Sequence, residues 1–124
     1  MPVTYLVVDD DPDVQELLVD ILQGPGISVH VADDGFDALS AFEAHRFDVV
    51  VTDVQMPRMT GLELSRRLRK KHARLVIIVL SGRAEPSAEV WAASGGDVFL
   101  AKPFSRDDLL GAIASATRKR TGRS

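Results

Sequence analysis

Apolar residues follow two alternating rhythms along the chain. Short, largely β-branched runs, TYLVV (4–8), ISVHVA (27–32), FDVVVTD (47–53), LVIIVL (75–80) and VFLA (98–101), are too short for helices and predict five strands. The third run is rich in β-branched residues and too short for a helix, which predicts a strand buried on both faces with Asp53 at its end. Between the runs, Val14, Leu17, Leu18, Ile21 and Leu22 fall at helical spacing, and Leu64 with Leu68, then Leu109 with Ile113, repeat it more sparsely. Helix starts are marked by Asp11-Pro12, Asp34-Gly35, Thr60-x-x-Glu63, Pro86-Ser87 and Ser105-x-x-Asp108. Gly24, Gly26 and Gly95-Gly96 punctuate helix ends.

The pattern predicts (βα)5. A helix between each pair of strands rules out hairpins, so the sheet is expected to be parallel, with right-handed crossovers and helices on both faces. In the common doubly wound order 2-1-3-4-5, the first and third strands are neighbours where the winding reverses, and ligands bind at their carboxyl ends. The residues following the strands are then Asp9, Asp10 and Asp11 after the first, Asp53 closing the third, Ser81 after the fourth and Lys102 after the fifth. Asp33 and Asp34 follow the second, which this order places at the sheet edge.

At 124 residues the chain is expected to be one domain. It has no cysteine, which removes disulfides and thiolate metal sites and makes the cytoplasm the default compartment. No apolar run reaches the roughly 20 residues of a membrane span, and the basic flank of a signal peptide is missing, so neither membrane insertion nor processing is expected. A net charge of −3 gives no general reason to bind nucleic acid. The basic cluster Arg118-Lys119-Arg120 with Arg123 reads as a solvated helix end and frayed tail, or as the start of a linker; the domain is set at 1–118 and the tail at 119–124.

Carboxylates gathered within about 4 Å repel by about 4 kcal/mol per pair at an effective dielectric of 20, so the acidic rim should raise a pKa or hold a cation. With only oxygens available, Mg2+ is the natural ion, since it accepts one or two carboxylates and keeps room for a phosphate oxygen. Asp11, preceding Pro12, is set aside as a helix cap, leaving Asp9 and Asp10 as the metal pair. A metal-bound carboxylate beside a lysine suits attack on phosphorus, giving an aspartyl phosphate on Asp53 with Lys102 and Ser81 on the phosphoryl oxygens.

With these residues in place, VVDDDPDVQELL (7–18), ADDGFDAL (32–39), VVTDVQMPRMTGLEL (50–64), VLSG (79–82) and GGDVFLAKPF (95–104) together resemble the receiver domain of two-component response regulators, a flavodoxin-like three-layer sandwich. The resemblance implies that Asp53 is the phosphoacceptor, that Asp10 binds Mg2+ directly and Asp9 through water, and that the Gln55 backbone carbonyl completes the ligands. It further implies Ser81 as the switch hydroxyl, Phe99 as the switch aromatic, Lys102 as the phosphate contact and a cis bond before Pro103. The implied partners are a histidine kinase or phosphotransfer protein and a downstream effector, read through the fourth helix, fifth strand and fifth helix. Dimerisation through that face is common in the family, though no feature of this chain compels it.

Some positions depart from the common pattern. Phe99 lacks the hydroxyl of the tyrosine frequent in that family, and Gln55 and Arg83 fall at positions that flank the path of hydrolytic water there, which leaves the phosphoryl lifetime open. Trp91 is either a core plug or a partner anchor. His30, His45 and His72 are scattered in sequence and read as surface or core residues. The alternative is a receiver-fold interaction module that works without phosphate. A metal-dependent phosphohydrolase would want an acid where Gln55 stands, and a flavodoxin-like cofactor carrier would meet repulsion from DDDPD.

Overall fold

Each predicted run becomes an element. The computed structural model describes residues 3–83 and 85–120. It contains β1 (Val3–Val8), α1 (Pro12–Leu22), β2 (Ile27–Ala32), α2 (Gly35–Ala44), β3 (Val49–Asp53), α3 (Gly61–Lys71), β4 (Val76–Ser81), α4 (Ala88–Ser94), β5 (Val98–Ala101) and α5 (Arg106–Arg120). The sheet order is β2-β1-β3-β4-β5 with every pairing parallel. Among the described residues no helix is long and apolar enough to cross a membrane.

Alternate side chains of the central strands feed two cores. Tyr5, Val7, Val49, Val51, Ile78 and Leu80 pack with Leu18 and Leu22 of α1 and with Leu109, Ile113 and Ala116 of α5. Leu6, Val8, Val50, Ile77 and Val79 pack on the other face with Ala38 of α2 and with Leu64 and Leu68 of α3. Every residue of β3 and β4 is buried, as strands covered on both faces require, whereas the edge strand β2 leaves Val31 45% exposed.

The α1 stripe is narrower than its spacing suggested. Leu18 and Leu22 are buried, but Leu17 is 51% exposed. It lies about 100° around the helix from Leu18, beyond the arc that the sheet covers.

The helix caps form at the marked residues. Asp11, Asp34 and Ser87 accept from the amides of Asp13 (2.9 Å), Asp37 (2.8 Å) and Val90 (3.2 Å). Ser105 and Asp108 make a complete capping box, with side-chain to backbone bonds of 3.0 and 2.9 Å in the two directions. At α3 the Thr60 hydroxyl accepts from the Glu63 amide at 3.1 Å, while the Glu63 carboxylate is held by Arg66 (2.6 Å) and Arg67 (2.9 Å). Those two guanidinium groups bring its pKa down to about 2.

The final helix is described to Arg120, with Arg118, Lys119 and Arg120 in its last turn. Arg120 Nε donates to Asp97 Oδ1 at 2.7 Å and Nη1 to the Ala73 carbonyl at 3.2 Å, so the last turn is tied to the sheet's lower end. Arg123 and the rest of the expected tail, 121–124, lie outside the described residues.

Candidate functional site

Parallel strands end together, so the loops after β1, β3, β4 and β5 share one rim. Asp53 is the last residue of β3, paired in register with Leu80, and Ser81 is the next residue along β4. Ser81 in turn pairs with Ala101, and the Lys102 amide donates to the Ser81 carbonyl at 2.8 Å. Backbone pairing alone therefore carries Asp53, Ser81 and Lys102 to adjacent positions.

Carboxylate oxygens of Asp9, Asp10 and Asp53 lie within 4.8 Å of one another. Asp9 is 1% exposed and Asp53 8%, while Asp10 is exposed. Lys102 Nζ stands 3.4 Å from Asp53 Oδ1 and 3.7 Å from Asp9 Oδ2, between the two buried acids. Asp9 Oδ1 accepts from the Asp11 amide at 2.9 Å, but Oδ2 is buried without a hydrogen-bond donor. Burial raises the Asp9 pKa, and the charges of Asp53 and Asp10 add to it against the Asp11 amide and Lys102. An acceptor oxygen with no donor, facing two further carboxylates, is the donor set of a hard cation.

Asp11 stays out of this cluster as the α1 cap. Asp33 and Asp34 stay out too: Gln15 Nε2 donates to Asp33 Oδ1 at 2.9 Å, and Asp34 caps α2 and pairs with Arg58. Gln55 and Arg83 are exposed, and the Arg83 amide donates to Ser81 Oγ at 3.0 Å. The Lys102–Pro103 peptide is cis. Phe99 is half-buried and meets Trp91 edge-on, with ring centroids 5.9 Å apart. Trp91 also covers Gly96, where a Cβ would stand 2.7 Å from Cη2, so it is packed as a plug while still bordering a surface cavity.

Sequence reasoning passed over the residues that shape the loop after Asp53. Gly61 donates its amide to the Val54 carbonyl at 2.9 Å and approaches the Asp53 backbone so closely that a Cβ would lie 2.0 Å from its carbonyl oxygen. Arg58, with φ 70°, pairs with Asp34 and sits over the Phe36 ring at 5.1 Å, clamping this loop to the start of α2. Such contacts join loops distant in the chain and leave no periodic signal. The histidines are not scattered in space. His30 and His45 lie 5.0 Å apart and His72 meets Phe42 at 4.8 Å, in an aromatic group whose turns, 45–48 and 72–75, enter β3 and β4 and so lie away from the acidic rim.

A doubly wound parallel sheet with acids and a lysine at its switch point defines a class of α/β domains whose ligands bind at the carboxyl ends of the strands. Residues 5–114 match the response regulator receiver domain, and the chain belongs to that family. It is 43% identical over 122 residues to the response regulator MprA of Mycolicibacterium vanbaalenii, covering 98% of this chain and 53% of that protein. Against MprA of Mycobacterium tuberculosis the identity is 42% over 120 residues, with coverage of 96% and 52%. The chain thus spans about half the length of these relatives. The fold is similar to that of the Vibrio cholerae chemotaxis protein CheY4, with TM-score 0.85, 31% identity, and coverage of 94% of this chain and 99% of that one. It is similar also to the Thermotoga maritima response regulator TrrA in complex with Mg2+–BeF, with TM-score 0.82, 32% identity, and coverage of 92% and 98%. The chain is a receiver domain of two-component signalling.

Proposed function

We propose that this domain is a phosphoacceptor switch in which Asp53 takes a phosphoryl group from a histidine kinase or a histidine phosphotransfer protein. The observation that carries the reading is the placement of Lys102 Nζ between Asp53 Oδ1 and an Asp9 Oδ2 that lacks a donor. A carboxylate used only for stability would be satisfied by hydrogen bonds.

In the reaction an Asp53 carboxylate oxygen attacks phosphorus in line. The bond from phosphorus to the donor's imidazole nitrogen breaks, the electron pair stays with that nitrogen, and an aspartyl phosphate results. Lys102, which pairs with Asp53 in the free domain, moves its ammonium to a phosphoryl oxygen. The Ser81 hydroxyl donates to another. Asp9, Asp10 and Asp53, with the Gln55 carbonyl, would hold Mg2+, which when bound offsets charge on the phosphoryl oxygens. Attack of water on phosphorus returns the carboxylate and inorganic phosphate, and the exposed side chains of Gln55 and Arg83 set access to that path.

The readout follows from the same bonds. Drawing Ser81 toward the phosphoryl group alters β4 where it pairs with β5, and Phe99 lies on β5 against Trp91 of α4. The α4–β5–α5 face is the surface a downstream effector would read, by a population shift between its two arrangements.

Intact mass after incubation with acetyl phosphate and Mg2+ tests this. A gain of about 80 Da, the mass of one phosphoryl group, is expected in the wild type and not in Asp53→Ala or with EDTA. No gain, together with no binding of beryllofluoride, would overturn the reading.

A further inference from the structure

Away from the acidic rim, two turns meet at the other end of the sheet. The α2–β3 turn and the α3–β4 turn border a cavity of about 500 Å³ whose lining includes Phe42, His45, Phe47 and His72, with Arg46 and Arg74. That volume is within the roughly 300–1,000 Å³ range of small-molecule sites. The rings form one continuous group: Phe42 lies 4.9 Å from Phe47 and 4.8 Å from His72, and His45 lies 6.2 Å from Phe47.

One wall is fixed in advance. Arg69 Nη1 donates to the carbonyls of His72 (3.1 Å), Ala73 (3.1 Å) and Leu75 (2.6 Å). Arg69 and Arg120 are both held by Asp97, at 2.9 and 2.7 Å. A turn pinned in this way costs little ordering entropy when a ligand arrives.

Charge selects the ligand. Neither Arg46 nor Arg74 makes an ion pair or hydrogen bond among the described residues, apart from what their backbones do in the turns. The Asp48 carboxylate in the same lining, whose Oδ2 accepts from the Thr4 amide at 2.8 Å, sets one negative charge against the two guanidinium groups. A neighbouring cavity of about 420 Å³ shares Phe42 and His72 and is bordered by Lys70 and Lys71, by Arg67, which pairs with Glu63, and by Glu43. In a chain of net charge −3, this end is locally basic. Flat aromatic walls offer π faces to a ring, and guanidinium forks match phosphate oxygens.

We propose that this cavity binds a nucleoside phosphate, with the base against the Phe42–Phe47–His72 rings and the phosphate on Arg46 and Arg74. The site is separate from the acidic rim and from the phosphoacceptor reading, so either can fail without the other.

The test is a titration of the full chain with ADP, adenosine and inorganic phosphate, in EDTA so that the acidic rim captures no phosphate through a metal, read by amide chemical shifts. ADP is expected to shift the amides of residues 45–48 and 72–75. Adenosine and phosphate alone should bind about tenfold more weakly or worse. The double variant Arg46→Ala/Arg74→Ala, both at exposed positions, should lose about tenfold or more in ADP affinity, with unchanged thermal stability and unchanged acetyl phosphate labelling of Asp53. The proposal is overturned if millimolar ADP moves no amide in these turns, if phosphate alone binds as well as ADP, or if the double variant binds ADP like the wild type.

Discussion

At the scale of single residues, two glycines near the acidic rim make opposite predictions. A Cβ on Gly61 would stand 2.0 Å from the Asp53 carbonyl oxygen and 3.1 Å from Thr52 Oγ1, so Gly61→Ala must displace the end of β3 or the start of α3. Overpacking of this kind costs about 1–3 kcal/mol, and acetyl phosphate labelling should slow because Asp53 moves with its backbone. Gly82 has nothing within 4 Å of its Cβ position, so Gly82→Ala should be neutral or stabilise by about 0.4–1 kcal/mol through the unfolded chain. Urea midpoints of the two variants decide both. Asp34 supplies a pH dependence. The Asp37 amide and then Arg58 hold its carboxyl below the usual carboxylate range. The native state therefore binds fewer protons than the unfolded chain, so this stabilisation is complete above about pH 4 and is lost as pH falls through the lowered value. Asp34→Ala should cost about 1 kcal/mol at neutral pH, as loss of a helix cap does, and the difference in urea midpoint from wild type should shrink in acid. Asp53, Ser81 and Lys102 were legible because strand ends follow from topology. Gly61 and the Asp34–Arg58 clamp were not, because nothing local in MPRMTG says which backbone it will touch.

Elements were legible where periodicity or caps mark them and less so where tertiary contacts decide. The caps at Asp11, Asp34, Ser87 and Ser105 stood in the sequence because each bond spans two or three residues. Only half of the α3 capping box formed, since Arg66 and Arg67 compete for the Glu63 carboxylate from the next turn. The basic cluster marked the last described turn of α5, but its tie to Asp97, 23 residues earlier, left no local signal. Asp97 accepts from Arg69, Arg120 and the Ile77 amide, joining α3, β4 and α5 through one carboxylate. Asp97→Ala strands two guanidinium groups and an amide together. Breaking a buried ion pair costs roughly 3–5 kcal/mol, and the lower end is expected here because the Arg120 side chain is 32% exposed. A urea midpoint close to wild type would show that Asp97 is dispensable. Glu63→Gln, by contrast, should leave the midpoint unmoved, because its ion pairs are at the surface.

Over the whole molecule the burial is graded, and the gradient has a direction. β1, β3 and β4 sit between both cores, whereas α4 is seven residues long, with Ser94 as its buried residue and Val90 49% exposed. Native-state hydrogen exchange should therefore find the amides of Val50–Thr52 and Ile77–Val79 opening only with global unfolding, and those of Val90–Ala93 exchanging about a hundredfold faster or more. The sparsely buried α4 thus borders the strand that carries Phe99. If phosphorylation of Asp53 switches the domain, its effect can reach that region through Ser81, which is paired with Ala101 and bonded to the Lys102 amide. Exchange measured on the beryllofluoride form should then change over α4 and β5 and stay unaltered over β2, which lies across β1 from the phosphoryl site. A change spread equally over both edges of the sheet would mean that the phosphate alters global stability rather than the equilibrium of one face.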